Sequence, residues 1–272
     1  LCWLAGDIQA KGFLIGGTAG RTTLNGEGLQ HQDGHSLILA NTIPNCISYD
    51  PTYAYEMAII VHEGMRRMYE QQEGVFYYIT AMNENYTHPA MPKGVEEGII
   101  KGLYKLKSGG KHKIKAQLLG SGTILREVEA AAEMLEKDWN VSANVWSATS
   151  VNELVRDGMD VDRYNRLHPT AEKKTSYISQ CLDDQEGVVV ASTDYMRLYA
   201  EQLRPWIKQR YVVLGTDGFG RSDTRERLRS FFEVDRYHVV VATLSALADE
   251  GAVKYDVVAK AIKQFKSDAD ET

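Results

Sequence analysis

The stretch GRTTLNGEGLQHQDGHS, residues 20–36, sets Glu27, His31, Asp33 and His35 on one short run of chain. An imidazole changes charge near neutral pH, so His31 and His35 can each give or take a proton as a reaction requires. Glu27 stands four residues before His31, and a carboxylate at that spacing can tune an imidazole or share a proton with it. Gly26, Gly28 and Gly34 permit positive φ and close approach of the backbone to a ligand. On residue chemistry alone two readings stand: a wall of an active site, or a loop pinned by its own side chains.

Such a stretch is too rich in turn-formers for a helix and too polar for a core strand, so its neighbours must hold it. Residues 46–49, CISY, read as a strand. Asp50-Pro51 then offers an N-cap and a first-turn proline for a helix through residue 70. Met57, Ile60, Val61, Gly64 and Met68 follow the i, i+3, i+4 spacing of an apolar stripe on that helix. VFYYIT, 75–80, is the next strand. The proline-bearing YTHPAMPKG, 86–94, reads as a linker.

Beyond it, strands at 113–122, 144–150, 187–192 and 211–218 alternate with helices at 123–139, 151 onward, 194–203 and 223–232. Two further helical stretches follow. Ser150 and Glu153 form a capping-box pattern. Strands alternating with helices of this length predict parallel βαβ units and an α/β fold.

Composition narrows the function. The chain has 272 residues, 43% hydrophobic and 25% charged, which fits a globular protein of one large or two ordinary domains. The net charge of −6 argues against a general nucleic-acid binder. Residues 1–92 carry 4 Lys+Arg against 9 Asp+Glu, so most of the acidity lies in the part that bears the histidine loop. No apolar run reaches membrane-spanning length. Cys2, Cys46 and Cys181 show neither zinc-ligand nor disulfide spacing, which suits a reducing cytoplasm. The chain opens without Met and without a leader pattern, and the expectation is a piece of a longer protein.

Other motifs read as structural. GGTAGRTT, 16–23, has three residues between Gly16 and Gly20 and Arg21 where a phosphate loop needs lysine, so a plain turn is expected. LLGSGTIL, 118–125, and VVLGTDGFGRSD, 212–223, are strand–loop–helix turns without a dinucleotide fingerprint. Lys105, Lys107, Lys111, Lys113 and Lys115 suggest a solvated hairpin edge blunted by lysines. His62, His88 and His168 each read as isolated structural or surface histidines.

The histidine loop and its surroundings resemble the homodimeric pyruvate dehydrogenases, the thiamine-diphosphate-dependent decarboxylating component of bacterial pyruvate dehydrogenase complexes. The resemblance runs through GGTAGRTTLNGEGLQHQDGHS, TIPNCISYDPTYAYEMA, ITAMNENYTHPAMPKGVEEGI, LLGSGTILREV, STDYM and GTDGFGRSDTRERLRSFFEVD. Transketolases share the architecture but not this wording. The resemblance implies an α/β fold. Residues 1–92 would be the end of a transketolase-type pyrimidine-binding domain, and 93–272 a transketolase C-terminal-type domain with a mostly parallel sheet.

It implies further that the whole enzyme uses thiamine diphosphate and Mg2+, decarboxylates pyruvate, and acetylates the lipoyl domain of dihydrolipoyl acetyltransferase as a homodimer. His31 and Glu27 are then the catalytic candidates: His31 at the substrate end of the coenzyme, Glu27 in an acidic cluster beside it. His35 is a loop neighbour with no assigned role. The family's metal and diphosphate motif is absent, so this chain is expected to bind neither coenzyme nor metal and to be inactive alone. The alternatives are a thiamine enzyme for another 2-oxo acid or a ketose and, for the isolated chain, a structural and dimerisation module. The helix at 51–70 is a candidate partner-facing surface.

Overall fold

The computed structural model describes residues 1–265; residues 266–272 of the second expected domain lie outside it. The first part of the chain runs α1 (Cys2–Asp7), β1 (Phe13–Gly16), α2 (Ser36–Asn41), β2 (Cys46–Tyr49), α3 (Ala54–Met65) and β3 (Phe76–Thr80). Its three strands are all parallel, in the order β1-β3-β2, with Leu14 opposite Tyr78 and Ile47 opposite Tyr77. Ile60 and Met68 pack against Tyr49, Tyr77 and Ile79 in one buried cluster, so the stripe read from the sequence does face this sheet. The helical path continues past α3 as a π-turn, Arg66–Glu70.

α3 begins later than Asp50-Pro51 predicts. The Asp50 carboxylate is not a cap; it accepts the Thr80 hydroxyl at 2.6 Å and the Ser121 hydroxyl at 2.7 Å. Glu56 does the capping instead, its carboxylate accepting the Thr52 and Tyr53 N–H groups at 2.5 and 2.9 Å. An N-terminal N–H has no partner within its own helix, so any well-placed acceptor can start one.

The second part runs α4 (Glu96–Lys101), β4 (Tyr104–Lys107), β5 (Ile114–Gly120), α5 (Leu125–Asp138), β6 (Val141–Ser147), α6 (Val151–Leu167), α7 (Tyr177–Leu182), β7 (Val188–Ser192), α8 (Leu198–Glu201), β8 (Tyr211–Leu214), α9 (Arg225–Phe231), α10 (Arg236–Asp249) and α11 (Tyr255–Phe265). Five strands lie in the order β4-β6-β5-β7-β8. β4 is antiparallel to β6, and the other pairs are parallel. The lysine-bearing β4 is thus an edge strand, but not half of a hairpin, because β6 separates it from β5. Apolar clusters cover both faces of this sheet, α5 and α10 on one side and α6, α7 and α8 on the other. That two-sided burial explains why VVVAS and its like read as unbroken apolar runs.

Ser150 caps α6 as its spacing predicts, its hydroxyl accepting the Glu153 N–H at 3.0 Å. α8 is far shorter than the helix expected over 194–203. Thr193, Asp194 and Tyr195 are buried in the turn after β7 instead.

The two sheets meet at the C-terminal ends of their strands. Asp50 N–H donates to the Thr149 carbonyl at 2.8 Å, and Gly122 N–H donates to the Asp50 carbonyl at 3.1 Å. The Ser150 hydroxyl donates to the Ser48 carbonyl at 2.6 Å.

Candidate active site

The histidine loop leaves β1 at Gly16 and returns at α2. Its neck is buried: Ala19, Arg21, Thr22 and Thr23 are each at most 2% exposed. Both sides of the neck rest on the turn after β7, in the other sheet. Arg21 N–H donates to the Asp194 carbonyl at 3.2 Å, and Thr22 N–H donates to Asp194 Oδ2 at 3.2 Å. On the returning side, Met196 N–H donates to the Gly34 carbonyl at 3.0 Å. Gly20 has φ +85°, and a Cβ there would fall 2.2 Å from Asp194 Oδ2, so backbone conformation and space both demand glycine. The Arg21 side chain spans the neck, with Nη2 3.3–3.4 Å from the His35 ring nitrogens.

The head of the loop is held by the turn between β8 and α9. The Gln32 amide makes two short bonds to one residue: Nε2 donates to the Arg221 carbonyl at 2.5 Å, and Oε1 accepts the Arg221 N–H at 2.6 Å. Gly26 N–H donates to the Asp223 carbonyl at 2.9 Å, and Arg225 Nε donates to the Thr23 carbonyl at 2.8 Å. Between these staples a 3-10 turn, Leu29–His31, lifts His31 to the surface; Glu27 is also exposed. Neither side chain takes a hydrogen bond or an ion pair from the described residues.

Beneath the loop lie two fully desolvated carboxyls. Burial pushes Asp50 up to about 6 despite the hydroxyl donors of Thr80 and Ser121. Burial likewise pushes Asp194 up to about 7, held back by the Arg229 charge and by Thr22. Loss of water penalises the charged form, and hydroxyl or N–H donors only partly restore it. Asp194 Oδ1, Ser192 Oγ, Tyr195 Oη and Arg21 Nε are buried without a partner.

The structure therefore separates the four residues of the opening motif. Glu27 and His31 point outward from the stapled head. Asp33 takes a structural part: its Oδ1 accepts the His35 and Ser36 N–H groups at 3.0 Å ahead of α2. His35 closes the neck with Arg21. The remaining histidines of the linker and α6 are structural, as their isolation suggests. His88 accepts the Ala54 N–H at 3.0 Å and stacks on Tyr86, and His168 stacks on Tyr164.

The glycine-rich turns are accounted for as well. No α-helix follows GGTAGRTT directly, so it lacks the helix N-terminus that would hold a phosphate. The LLGSG turn is filled from inside, since a Cβ on Gly122 would meet the Asp50 carboxylate at 2.8 Å. Sequence reading missed Asp194 and the Gln32–Arg221 pair. Their only local signal was position, just past the ends of β7 and β8, where open α/β sheets gather functional groups. Among the described residues, no three or more His, Cys, Asp or Glu side chains group to hold a metal ion. No helix there is long and apolar enough to cross a membrane.

This architecture has known counterparts. The model of the pyruvate dehydrogenase E1 component middle domain matches residues 1–89, and that of the transketolase-like C-terminal domain matches 102–235. Among solved structures, a transketolase from Leishmania mexicana superposes with a TM-score of 0.62 at 15% identity, covering 85% of this chain and 29% of that one. A Pichia stipitis transketolase mutant superposes with a TM-score of 0.64 at 15% identity, covering 92% and 33%. At such identity the likeness speaks for the fold: a transketolase-type pyrimidine-binding domain followed by a transketolase-type C-terminal domain.

The sequence is more specific. The chain is 62% identical to the pyruvate dehydrogenase E1 component of Pseudomonas aeruginosa, over 100% of this chain and 31% of that protein. It is 61% identical to that of Escherichia coli over the same shares. The chain is a homologue of the pyruvate dehydrogenase E1 component, and it spans about a third of the length of these curated relatives.

Proposed function

We propose that this chain is part of a pyruvate dehydrogenase: a thiamine-diphosphate- and Mg2+-dependent enzyme that decarboxylates pyruvate and transfers the two-carbon unit to the lipoyl domain of dihydrolipoyl acetyltransferase. The reading includes a homodimer in the cytoplasm and a domain division near residues 92 and 93. The observation that carries it is the loop itself. Its neck and head are stapled to two different turns of the second sheet, and all that rigidity presents one unpaired imidazole, His31, with Glu27 beside it in sequence.

The described residues do not fit a complete coenzyme site. GGTAGRTT leads into no α-helix, the LLGSG turn is filled by Asp50, the turn before α9 is taken up by Gln32, and no carboxylate cluster among the described residues suits a metal. The seat of the coenzyme is therefore assigned outside this chain. What this chain supplies is a wall at the substrate end. An N–H of His31 donates to the carboxylate or carbonyl oxygen of pyruvate and steadies negative charge as the oxo group reacts. Glu27, exposed on the same head of the loop, adds a carboxylate to that wall.

The test is His31→Ala in the whole protein, loaded with thiamine diphosphate and Mg2+. A charge-assisted hydrogen bond contributes ~1.5–3 kcal/mol, so kcat for pyruvate should fall roughly ten- to a hundredfold while coenzyme affinity hardly changes. Unchanged turnover would remove His31 from the mechanism. Assays with 2-oxobutyrate and sugar phosphates alongside pyruvate test the substrate class.

A further inference from the structure

The turn after β7 touches the histidine loop at three places, yet its side chain there is poorly satisfied. Asp194 is 2% exposed, its Oδ2 receives one backbone N–H, and its Oδ1 has no partner. Burying a carboxyl with so few donors opposes folding, so its position against the loop calls for another explanation. The contacts suggest one. Oδ2 sits on Thr22 N–H and against the Cα of Gly20, on the outgoing side of the neck. The Asp194 carbonyl accepts the Arg21 N–H at 3.2 Å and the Thr216 hydroxyl at 2.9 Å. Two residues on, Met196 N–H holds Gly34, on the returning side. One turn of the second sheet thus pins both ends of a loop from the first, with His31 between them.

We propose that Asp194 is a positioning residue for His31: its carboxylate, seated on Thr22 N–H and Gly20, fixes the height of the neck and so the place of the imidazole at the head. The proposal rests on the reading of His31 given above and adds that the second sheet sets where this imidazole stands. It assigns the C-terminal domain a part in catalysis beyond scaffolding. A loop pinned at two points transmits a shift at its base to its tip, and a displacement of about 1 Å can cost a hundredfold in rate.

The experiment compares Asp194→Ala, Asp194→Asn, His31→Ala and the Asp194→Ala/His31→Ala double variant in the whole protein, loaded with thiamine diphosphate and Mg2+. Each is assayed for pyruvate turnover and for trypsin cleavage. The Arg21–Thr22 bond is the natural probe, because its N–H is the one that Asp194 holds. Asp194→Ala should lower kcat roughly ten- to a hundredfold, leave the thermal midpoint near that of the parent, and open the Arg21–Thr22 bond to trypsin. Asp194→Asn, which keeps an oxygen for Thr22 N–H, should stay within about threefold of the parent with the bond protected. The double variant should be no slower than His31→Ala alone, because the effect runs through that side chain.

An Asp194→Ala enzyme that keeps its rate and its trypsin resistance overturns the proposal. So does an Asn variant as impaired as the Ala variant, or a double variant whose losses multiply. If His31→Ala is fully active, the functional reading of His31 falls, and the tether is then judged on Arg21–Thr22 cleavage alone.

Discussion

Glu84 and Asp194 are both carboxyls a few residues beyond a strand end, both set where the two sheets meet, and burial acts on them with opposite outcomes. Glu84 pairs with Arg229, accepts Arg126 Nη1 at 2.9 Å and takes the Thr123 hydroxyl at 2.7 Å. Burial works against its charge, but these partners outweigh it and hold the carboxyl down at about 2. Asp194 has one backbone donor and a more distant Arg229, and burial wins, moving it to about 7. Two guanidinium groups within hydrogen-bond reach, together with a shallower position, set Glu84 apart. The ionic seam, built on Glu84 and Arg229, clamps the exit of β3 to α5 and α9. The carboxyl seam, built on Asp50 and Asp194, runs from the turn after β2, where Asp50 meets Thr80 and Ser121, to the neck of the histidine loop, where Asp194 meets Thr22.

Breaking the ionic seam should have the largest effect on stability. Glu84→Ala leaves the Arg229 guanidinium, 7% exposed, with the Thr22 and Thr123 hydroxyls and, as a charged partner, the long 3.7 Å contact to Glu127. Removing one partner of a buried pair costs about 3–5 kcal/mol, because the other charge stays behind. Urea unfolding of the whole protein should report a loss of that order. A loss below about 1 kcal/mol would mean that the seam is solvated in practice.

The two seams should also differ in pH dependence, and with opposite sign. Glu84 titrates lower in the fold than its ordinary 4.5, so its stabilisation is present above pH 4.5 and lost as pH falls toward about 2. Asp50 and Asp194 titrate higher in the fold than their ordinary 3.8. Their stabilisation is complete below that value and lost as pH rises through about 6 and 7. Asp50→Asn removes one such titration. At pH 8 it should gain up to ~2–3 kcal/mol over the parent relative to the difference at pH 4, read as the pH dependence of the thermal midpoint. A parallel pair of pH curves would show that Asp50 is ionised in the folded protein throughout.

These seams are also where the sequence was least legible. Strands at 46–49 and 187–192 and the helix opened by Ser150 follow from local patterns, because an apolar run or a cap needs only neighbours in sequence. Asp50 before Pro51 is a sound local signal for a helix start, yet its carboxylate is taken by Thr80 and by Ser121, far along the chain. Asp194 looked like the start of a helix and instead holds Thr22. The lysines of β4 marked an edge correctly, but pairing with β6 rather than β5 is a matter of sheet order, which composition does not encode. In the loop, the glycines and His31 were legible as chemistry. The staples through Gln32 and Arg221 were not, since nothing local distinguishes a buried glutamine from an exposed one.

The smallest effect should come from an ion pair that a local reading finds most easily. Glu97 and Lys101 stand i, i+4 on α4, 2.7 Å apart, at the ideal helical spacing. The lysine lowers the Glu97 titration, through its hydrogen bond first and its charge second, as Arg229 helps to do for Glu84. The resemblance ends at the solvent: the two side chains are 46% and 78% exposed, where water competes for both charges and salt screens them. Glu97→Gln should therefore leave the urea midpoint unchanged within error, at low salt and at high salt alike. A loss comparable to that of Glu84→Ala would mean that pairing geometry, rather than exclusion of water, sets the worth of a charge in this protein, and the contrast between the seams would need another cause.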